Sequence, residues 1–266
     1  MSDGKLQGLS ILVTGGGTGI GRACARRLVS DGACVTISGR TLSSLESAAE
    51  LINAAAAHGG SVNIACGDVT REEDVKEMVS IAAGSQGTVH GCIANAGGGG
   101  MPAPYAAVDT EEFMRVLNLN VLGTMLCMKH TLPLMIAAGG GSFVGMSSLA
   151  GHITHPYFHA YCAGKAGIEA MMRNAADEYG KDKVRFNAIR PGFIATEMME
   201  GIPTDSEVYR SYIDNTPMAD VGQPDDVAEL ARFLIGPESR WITGQAINVD
   251  GGHSLRRGPD FSSFVA

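Results

Sequence analysis

The chain has 266 residues, a length that suits one large α/β domain or two small ones. Its 20 Lys and Arg against 28 Asp and Glu give a net charge of −8, which argues against a nucleic-acid-binding protein. With 45% hydrophobic and 18% charged residues it can bury a sizeable core, which argues against extended disorder.

The sequence predicts a cytoplasmic protein that does not cross a membrane. The start, MSDGKLQGLS, has no apolar stretch of the signal-peptide type. The long stretch 130–164 has no acidic residue, lysine or arginine, but Pro133 and the glycines at 139–141 break it, so it is interpreted as buried core. The six cysteines form no CxxC pair and lie in apolar segments, which indicates reduced, buried thiols.

Short β-type runs alternate with helical patterns along the chain. The predicted strands are 9–13, 33–38, 61–65, 89–94, 142–146, 184–189 and 245–249. The predicted helices are 20–31, 41–58, 71–83, 110–137, 159–179 and 224–235. Because the strands are continuous apolar runs, they indicate a parallel sheet covered on both faces. Repeated βαβ units then predict a single α/β domain of three layers, a doubly wound sheet of the Rossmann type.

Two stretches fall outside this alternation. Residues 197–222 are rich in methionine and polar residues and are interpreted as a mobile substrate flap. Residues 253–266 are interpreted as a C-terminal tail that follows a catalytic domain of residues 1–252.

A glycine-rich segment, TGGGTGIG, follows the first strand and opens the first helix. Glycines allow a sharp turn and a close approach of the backbone to a pyrophosphate at a helix N-terminus, although a flexible turn looks the same in isolation. Its position favours dinucleotide binding. The residues expected to contact the cofactor here are Gly15, Gly17, Thr18, Gly19, Ile20 and Gly21.

The end of the second strand indicates which dinucleotide is bound. An NAD-binding unit places a carboxylate there for the ribose hydroxyls, but this chain has Gly39 followed by Arg40. A guanidinium suits the 2′-phosphate of NADP, so NADP(H) is the predicted cofactor, with NAD(H) possible. The alternative is that Arg40 is only a solvated residue at a helix start.

Two further segments lie at the carboxyl ends of predicted strands, where ligands bind in such sheets. Asp68 and Val69 follow the third strand, and the carboxylate of Asp68 suits either an adenine amino group or the cap of the next helix. Asn95, Ala96 and Gly97 follow the fourth strand.

Tyr161 and Lys165 lie four residues apart, on one face of a predicted helix, and Ser148 ends a strand thirteen residues before Tyr161. A tyrosine is too weak an acid for proton transfer near neutrality unless positive charge lowers its pKa, and Lys165 is expected to supply that charge. The serine hydroxyl is then placed to hold a substrate oxygen. By itself, YxxxK also fits a half-exposed tyrosine beside a solvated lysine.

With these motifs the chain resembles the short-chain dehydrogenase/reductase family over about residues 6–252. The matching segments, in the family's order, are TGGGTGIG, GDV, ANAG, MSSLAG, YCAGK, RPGFIAT and ITGQAINVDGG. Ala94 stands where the family has the first asparagine of NNAG, which is a small departure.

The resemblance implies a role for each catalytic residue. Tyr161 would be the acid/base, Lys165 would bind the nicotinamide ribose, and Ser148 would orient the carbonyl. Asn120 would anchor a water that links the lysine to solvent; it is preferred to the nearby Asn118 because Gly123 follows at the family spacing.

Other parts of the chain also acquire expected roles. The segment that would hold the nicotinamide comprises Pro191, Gly192, Ile194 and Thr196. The resemblance further implies a homo-oligomer, a tetramer or dimer, with the apolar stretches 116–137 and 161–172 as its interface.

Three features are assigned less specific roles. His152, His155 and His159 have metal-like spacing, but a proline interrupts the segment, so it is interpreted as a loop lining the substrate cleft, with no metal. The methionines at 198 and 199 suit either a substrate pocket or the flap itself. Arg256 and Arg257 are a solvated pair or contact a coenzyme A phosphate or a neighbouring subunit.

The sequence therefore predicts an NADP(H)-dependent oxidoreductase that moves a hydride between nicotinamide and a small-molecule carbonyl or secondary alcohol. A 3-oxoacyl thioester is the favoured substrate, and an alicyclic or steroid-like alcohol is the alternative. A non-catalytic NADP(H)-binding sensor or scaffold is a hypothesis of another class, disfavoured because both Tyr161 and Lys165 are present.

Overall fold

The computed structural model describes residues 4–199, 201–256, 258 and 261–265. Its centre is a seven-stranded sheet in which each neighbouring pair is parallel. The strands are β1 (Ser10–Thr14), β2 (Cys34–Gly39), β3 (Ser61–Cys66), β4 (Gly91–Ala94), β5 (Gly141–Met146), β6 (Val184–Pro191) and β7 (Ala246–Val249). Their order, β3-β2-β1-β4-β5-β6-β7, reverses direction between β1 and β4.

Helices cover both faces of the sheet. They are α1 (Gly19–Ser30), α2 (Leu42–Asn53), α3 (Glu72–Ala83), α4 (Thr110–Leu117), α5 (Gly123–Ala137), α6 (His159–Tyr179), α7 (Glu207–Asn215) and α8 (Pro224–Ile235). One hydrophobic cluster joins α1, α2 and α8 to the sheet, and a second joins α3, α5 and α6 to the opposite face. This arrangement confirms the predicted doubly wound, three-layered α/β fold.

The reversal of strand order places a crevice at the carboxyl ends of β1 and β4. The connection that follows β1 leads toward one edge of the sheet, and the connection that follows β4 leads toward the other. Ligands bind outside the carboxyl ends of the strands at such a point. The glycine-rich segment and the segment after β4 both begin there, so the fold brings the predicted cofactor residues to one edge of the sheet.

Two predicted helices differ from the observed ones. The predicted helix 41–58 ends at Asn53, although alanines follow it, because the chain turns back through left-handed His58 (φ 53°) and Gly59 (φ 82°) to start β3 beside β2. The predicted helix 110–137 is continuous but contains a π-helical turn, residues 118–122, between α4 and α5.

The flap is more ordered than the sequence predicts. It contains α7, whose start is capped by the Ser206 hydroxyl, which accepts a hydrogen bond from the Tyr209 amide at 3.1 Å. The helix packs inward through Tyr212, whose ring stacks on Phe193 at 4.2 Å between centroids.

The expectation of buried thiols is wrong for some cysteines. All six are free thiols, but Cys66 is exposed, and Cys34 and Cys162 are half-buried. Cys66 is exposed because it ends β3, the edge strand, whose side chains alternate between exposed and covered positions.

The stretch Thr110–Ala137 is long and apolar enough to cross a membrane by length and composition. In the described structure, α5 contacts α3 and β4, and side chains such as Leu126 and Met135 are buried in the cluster under the sheet. Those contacts account for its apolar composition as a core helix.

Candidate active site

The glycine-rich segment folds into a tight turn between β1 and α1. Gly15 has a φ of 64°, and a Cβ added to Gly21 would overlap the carbonyl oxygen of Gly15. Gly21 therefore lets the first turn of α1 pack directly on the loop. The loop backbone lies at the helix N-terminus, where partial positive charge favours a phosphate.

The segment after β4 is joined to this loop by hydrogen bonds. The Thr14 hydroxyl accepts from the amides of Asn95 at 3.1 Å and Ala96 at 3.0 Å. In return, Asn95 Nδ2 donates to the carbonyls of Thr14 and Gly15 at 3.0 and 3.2 Å. Asn95 therefore fixes the two strand ends relative to each other, in addition to lining the crevice.

One cavity of about 260 Å³ lies beside the glycine loop and suits the adenosine half of a dinucleotide. Its lining residues from the sequence prediction are Gly15, Gly17, Thr18, Arg40, Asp68, Val69, Ala96 and Gly97. Arg40 is exposed at its rim, directly after Gly39. A cationic group therefore lies next to the predicted ribose position.

Asp68 has a local structural role as well as a place in that cavity. Its Oδ1 accepts from the Thr70 amide at 2.9 Å and from the Thr70 hydroxyl at 2.8 Å. Burial acts to raise the pKa of its carboxyl, but these bonds and the nearby arginines Arg40 and Arg71 leave the pKa below its usual value. These bonds close a turn before α3, whose N-cap position is Arg71 and carries no side-chain cap bond, so the helix-cap interpretation is wrong.

A second cavity of about 240 Å³ adjoins the first through shared lining residues, among them Gly15, Thr18 and Gly97. It includes the predicted residues Gly19, Ile20, Asn95, Ser148, Tyr161, Lys165, Pro191, Gly192, Ile194 and Thr196. The two connected cavities, the glycine turn and the helix N-terminus fit an extended dinucleotide. Gly21 and Asn120 lie behind this surface and support it.

Tyr161, Ser148 and Lys165 converge in the second cavity. The Ser148 side chain lies beside the Tyr161 hydroxyl, and both line the same cavity. Lys165 Nζ lies 5.4 Å from the centroid of the Tyr161 ring and donates to the Met146 carbonyl at 2.8 Å. The fold thus joins a proton donor, an oxygen-binding hydroxyl and an amine at one point.

Burial shifts the two titratable groups in opposite directions. It raises the pKa of Tyr161 above its usual value, although the neighbouring Ser148 side chain opposes the shift. It lowers the pKa of Lys165 to about 7. Lys165 is therefore only partly charged near neutrality, and the predicted lowering of the tyrosine pKa by this lysine is not the dominant effect.

The π-helical turn separates the two candidate asparagines. Asn120 is fully buried, and its Nδ2 donates to the carbonyls of Gly98 at 2.9 Å and Val116 at 2.8 Å. A Cβ added to Gly97 would meet both Asn120 Oδ1, at 2.6 Å, and Lys165 Nζ, at 2.9 Å, so these groups flank the same glycine. Asn118 is exposed on the helix surface. The geometry favours Asn120, whose water-anchoring role stays a prediction.

Sequence reasoning missed a buried polar network behind the site. The Ser147 hydroxyl donates to Glu169 Oε1 at 2.8 Å and lies 3.0 Å from the Lys165 carbonyl. Glu169 forms a two-point ion pair with Arg190, at 2.6 and 2.5 Å. The network ties α6 to the ends of β5 and β6. Its one sequence signal is Glu169, four residues after Lys165 on the same helix face.

A third cavity, of about 290 Å³, meets the second at Ser148, Tyr161, Gly192 and Met199. His155 lines this cavity, whereas His152 is exposed and the buried His159 forms a 2.8 Å bond with the Ala103 carbonyl. The three histidines therefore do not converge, and the described residues contain no cluster of potential metal ligands.

Other predicted features are only partly described. Met199 lines both the second and the third cavity, which supports a substrate-pocket position. The side chain of Met198 and the whole of Arg257 lie outside the described residues. Arg256 is described, and its guanidinium donates to the Asp214 carbonyl at 2.7 Å, so it contacts α7 of its own chain.

Comparisons with known proteins agree over nearly the whole chain. A family model described as enoyl-(acyl carrier protein) reductase matches residues 15–254. A 2,5-dichloro-2,5-cyclohexadiene-1,4-diol dehydrogenase of Sphingobium indicum is 34% identical over 254 residues, covering 95% of this chain and 98% of that protein.

Two solved structures extend the comparison. A short-chain type dehydrogenase/reductase from Mycobacterium ulcerans has a TM-score of 0.95 and 42% identity, covering 98% of this chain and 94% of that one. A 7α-hydroxysteroid dehydrogenase complexed with NADH and 7-oxo glycochenodeoxycholic acid has a TM-score of 0.88 and 30% identity, covering 94% and 96%.

Proposed function

This chain belongs to the short-chain dehydrogenase/reductase family of oxidoreductases, and from that premise we propose that it interconverts a cyclic secondary alcohol and its ketone with NADP(H). One observation carries the proposal. The Tyr161 hydroxyl and the Ser148 side chain lie together where the dinucleotide-shaped crevice meets a separate apolar cavity. A substrate oxygen placed there reaches both hydroxyls at once.

The residues of the chain account for the proton transfer. When bound, the nicotinamide cofactor supplies or accepts the hydride at the carbonyl carbon. In reduction, Tyr161 donates its phenolic proton to the substrate oxygen, and Ser148 donates a hydrogen bond that holds that oxygen. Lys165 and Asn120 flank Gly97 and form the route by which water returns a proton to Tyr161.

Arg40 supports NADP(H) as the preferred cofactor. It lies at the rim of the adenosine-side cavity, and Gly39 leaves no carboxylate to repel a 2′-phosphate. One of the similar structures contains NADH, so the comparisons do not favour NADP(H) over NAD(H). The proposed preference for NADP(H) therefore depends on Gly39 and Arg40 of this chain.

A cyclic substrate is supported by the third cavity and by the relatives' names. Aromatic side chains dominate the cavity, and two of the similar proteins are named for a cyclic diol and a hydroxysteroid. The 3-oxoacyl thioester favoured by the sequence stays as a second candidate, because the description of the matching family model, enoyl-(acyl carrier protein) reductase, also names an acyl thioester substrate. The cytoplasmic location stays a prediction from the sequence.

Initial rates of NADPH oxidation test this proposal, with 4-(trifluoromethyl)cyclohexanone and acetoacetyl-CoA as alternative substrates and NADH as the alternative cofactor. We expect turnover of the cyclic ketone with NADPH preferred. Turnover of acetoacetyl-CoA alone would select the second candidate. Tight NADPH binding with no turnover of either compound would contradict the proposed activity on both.

A further inference from the structure

The C-terminal tail returns to the substrate side of its own chain. Arg256 Nη1 donates to the carbonyl of Asp214, near the end of α7, at 2.7 Å. Two residues later, Gly258 packs so closely on the loop before α6 that an added Cβ would overlap the Thr154 carbonyl oxygen. Phe261 is then buried, with 6% of its surface exposed. The tail is therefore held against the flap helix and against the loop.

The ring of Phe261 joins an aromatic group around the third cavity. It packs edge-on against Phe158, at 4.8 Å between centroids and an interplanar angle of 66°. It also meets Tyr212 edge-on, at 6.2 Å and 82°. Phe158 in turn contacts Tyr161, at 6.5 Å. Phe158 therefore lies between Phe261 and Tyr161, the proposed proton donor, and all three side chains line the third cavity.

The lining of this cavity defines the chemistry of its occupant. None of the described side chains lining it is a carboxylate, lysine or arginine. Burial lowers the pKa of His155 below its usual value, so this side chain is neutral near pH 7. Flat aromatic surfaces and neutral hydroxyls suit an uncharged ring that carries one oxygen substituent.

The volume of the third cavity limits the size of the compound that it can bind. An apolar cavity of about 150 Å³ accommodates benzene. The cavity here is about 290 Å³ and partly open, so it has room for a substituted ring. Without the Phe261 side chain, the cavity would lose one aromatic side and open toward the tail.

Resting on the proposed oxidoreductase function, we infer that Phe261 is a specificity-determining residue that selects uncharged, ring-bearing ketones and secondary alcohols. Its ring supplies one apolar side of the cavity, and the contacts of Arg256 and Gly258 hold it there. The residue acts on substrate binding and leaves proton transfer to Tyr161.

The experiment is a ¹⁹F NMR titration of 4-(trifluoromethyl)cyclohexanone into the full chain saturated with NADP⁺, in which no hydride is available for reduction. Phe261→Ala should raise the dissociation constant by about tenfold, because an aromatic contact surface is lost. Leu255→Ala is the control: Leu255 lies in the same tail, is 82% exposed and does not line the cavity, so we expect a change below about twofold.

A second variant displaces the tail without removing the ring. Gly258→Ala introduces the overlap with the Thr154 carbonyl. Like Phe261→Ala, it should therefore raise the dissociation constant of the probe, 4-(trifluoromethyl)cyclohexanone. Thermal melting of each variant shows whether the domain stays folded. Since both substitutions disturb the packing of a buried ring, we expect lower melting temperatures with a single cooperative transition, and the titrations are run well below that transition.

The outcomes separate this inference from the proposed function. The role of Phe261 would be overturned if Phe261→Ala bound the probe as tightly as the wild type does. It would also be overturned if the wild type did not bind the probe at all. Probe binding that depends on Phe261, combined with no NADPH-dependent reduction of the probe, would leave that role intact and overturn the proposed activity.

Discussion

At the residue scale, burial governs the catalytic helix. Tyr161 and Lys165 are one turn apart, and removal from water penalises the charged form of each. The pKa of the tyrosine rises and that of the lysine falls to about 7. Both groups therefore favour their neutral forms, which suits a tyrosine that donates a proton during ketone reduction.

The lysine shift has a measurable effect on stability. Lys165 has a pKa of about 7 when folded, against 10.5 for an ordinary lysine, so the unfolded chain binds a proton that the folded chain lacks between these values. The free energy of unfolding should therefore rise with pH across this window. Lys165→Met removes that rise.

Urea unfolding of the nucleotide-free wild type and Lys165→Met from pH 6 to pH 10 measures the difference. Above pH 7, we expect the free energy of unfolding of the wild type to increase relative to that of Lys165→Met. Lys181→Met, an exposed position just after α6, serves as control and should follow the wild type. Parallel curves for the wild type and Lys165→Met would contradict the depressed lysine pKa.

Cofactor choice also depends on single residues. Arg40→Ala should lower kcat/KM for NADPH by about 10–100-fold, since bonds to charged groups contribute about 1.5–3 kcal/mol, and should leave kcat/KM for NADH nearly unchanged. Arg71→Ala is the control, because Arg71 is near Asp68 but does not line the adenosine-side cavity. An unchanged NADPH/NADH ratio in Arg40→Ala would contradict the assignment.

Gly39→Asp tests the same site in the opposite direction. A Cβ at Gly39 would meet Leu45 Cδ2 at 3.5 Å, an ordinary contact, so the backbone tolerates the side chain. The new carboxylate should repel a 2′-phosphate and accept from the ribose hydroxyls, so the ratio of kcat/KM values should shift toward NADH. Steady-state kinetics with both cofactors measures the shift.

At the scale of elements, the π-helical turn between α4 and α5 carries the supporting asparagine. Asn120→Ala leaves the Gly98 and Val116 carbonyls without a buried donor, each costing about 1–3 kcal/mol. The exposed Asn118→Ala should change stability by less than about 0.5 kcal/mol. Urea unfolding compares them, and equal losses would show that the turn does not depend on Asn120.

The elements also show which features sequence patterns predict. Continuous apolar strands and long helices such as α6 and α8 have a clear local signal, and their observed bounds agree closely with the predicted ones. Helix α7 has nine residues and one buried side chain, Val208, so its pattern is too short to separate from a loop. The end of α2 depends on the pairing of β3 with β2, which overrides the high helix propensity of the alanines after Asn53.

In the candidate active site, the sequence motifs predict which residues come together, but they do not predict how buried or charged the surroundings of those residues are. The spacing of Ser148, Tyr161 and Lys165 predicts that they meet, whereas the balance of burial and charge that sets their pKa values depends on the packed structure. The Glu169–Arg190 pair and the contact of Phe261 with Phe158 join residues far apart in the sequence, without a local pattern.

At the scale of the whole molecule, the outer face of α5 predicts self-association. Met125 and Ile136 are each 37% exposed there, within the apolar stretch expected to form an interface. Light scattering should give a mass at least twice the 27.6 kDa of one chain, and Met125→Glu should lower that mass. Leu51→Glu, on α2 and the opposite face of the sheet, should not. A monomer mass for the wild type would contradict the predicted oligomer.

The central claim is that Tyr161 transfers the proton, and the most direct test is the rate of NADPH-dependent ketone reduction by Tyr161→Phe. Removing a general acid typically costs about 10²–10⁴-fold, so the rate should fall at least a hundredfold while the dissociation constant for NADPH stays within about twofold. Tyr179→Phe, at the far end of the same helix, is the control. A Tyr161→Phe protein that keeps more than a tenth of the wild-type rate would contradict the mechanism.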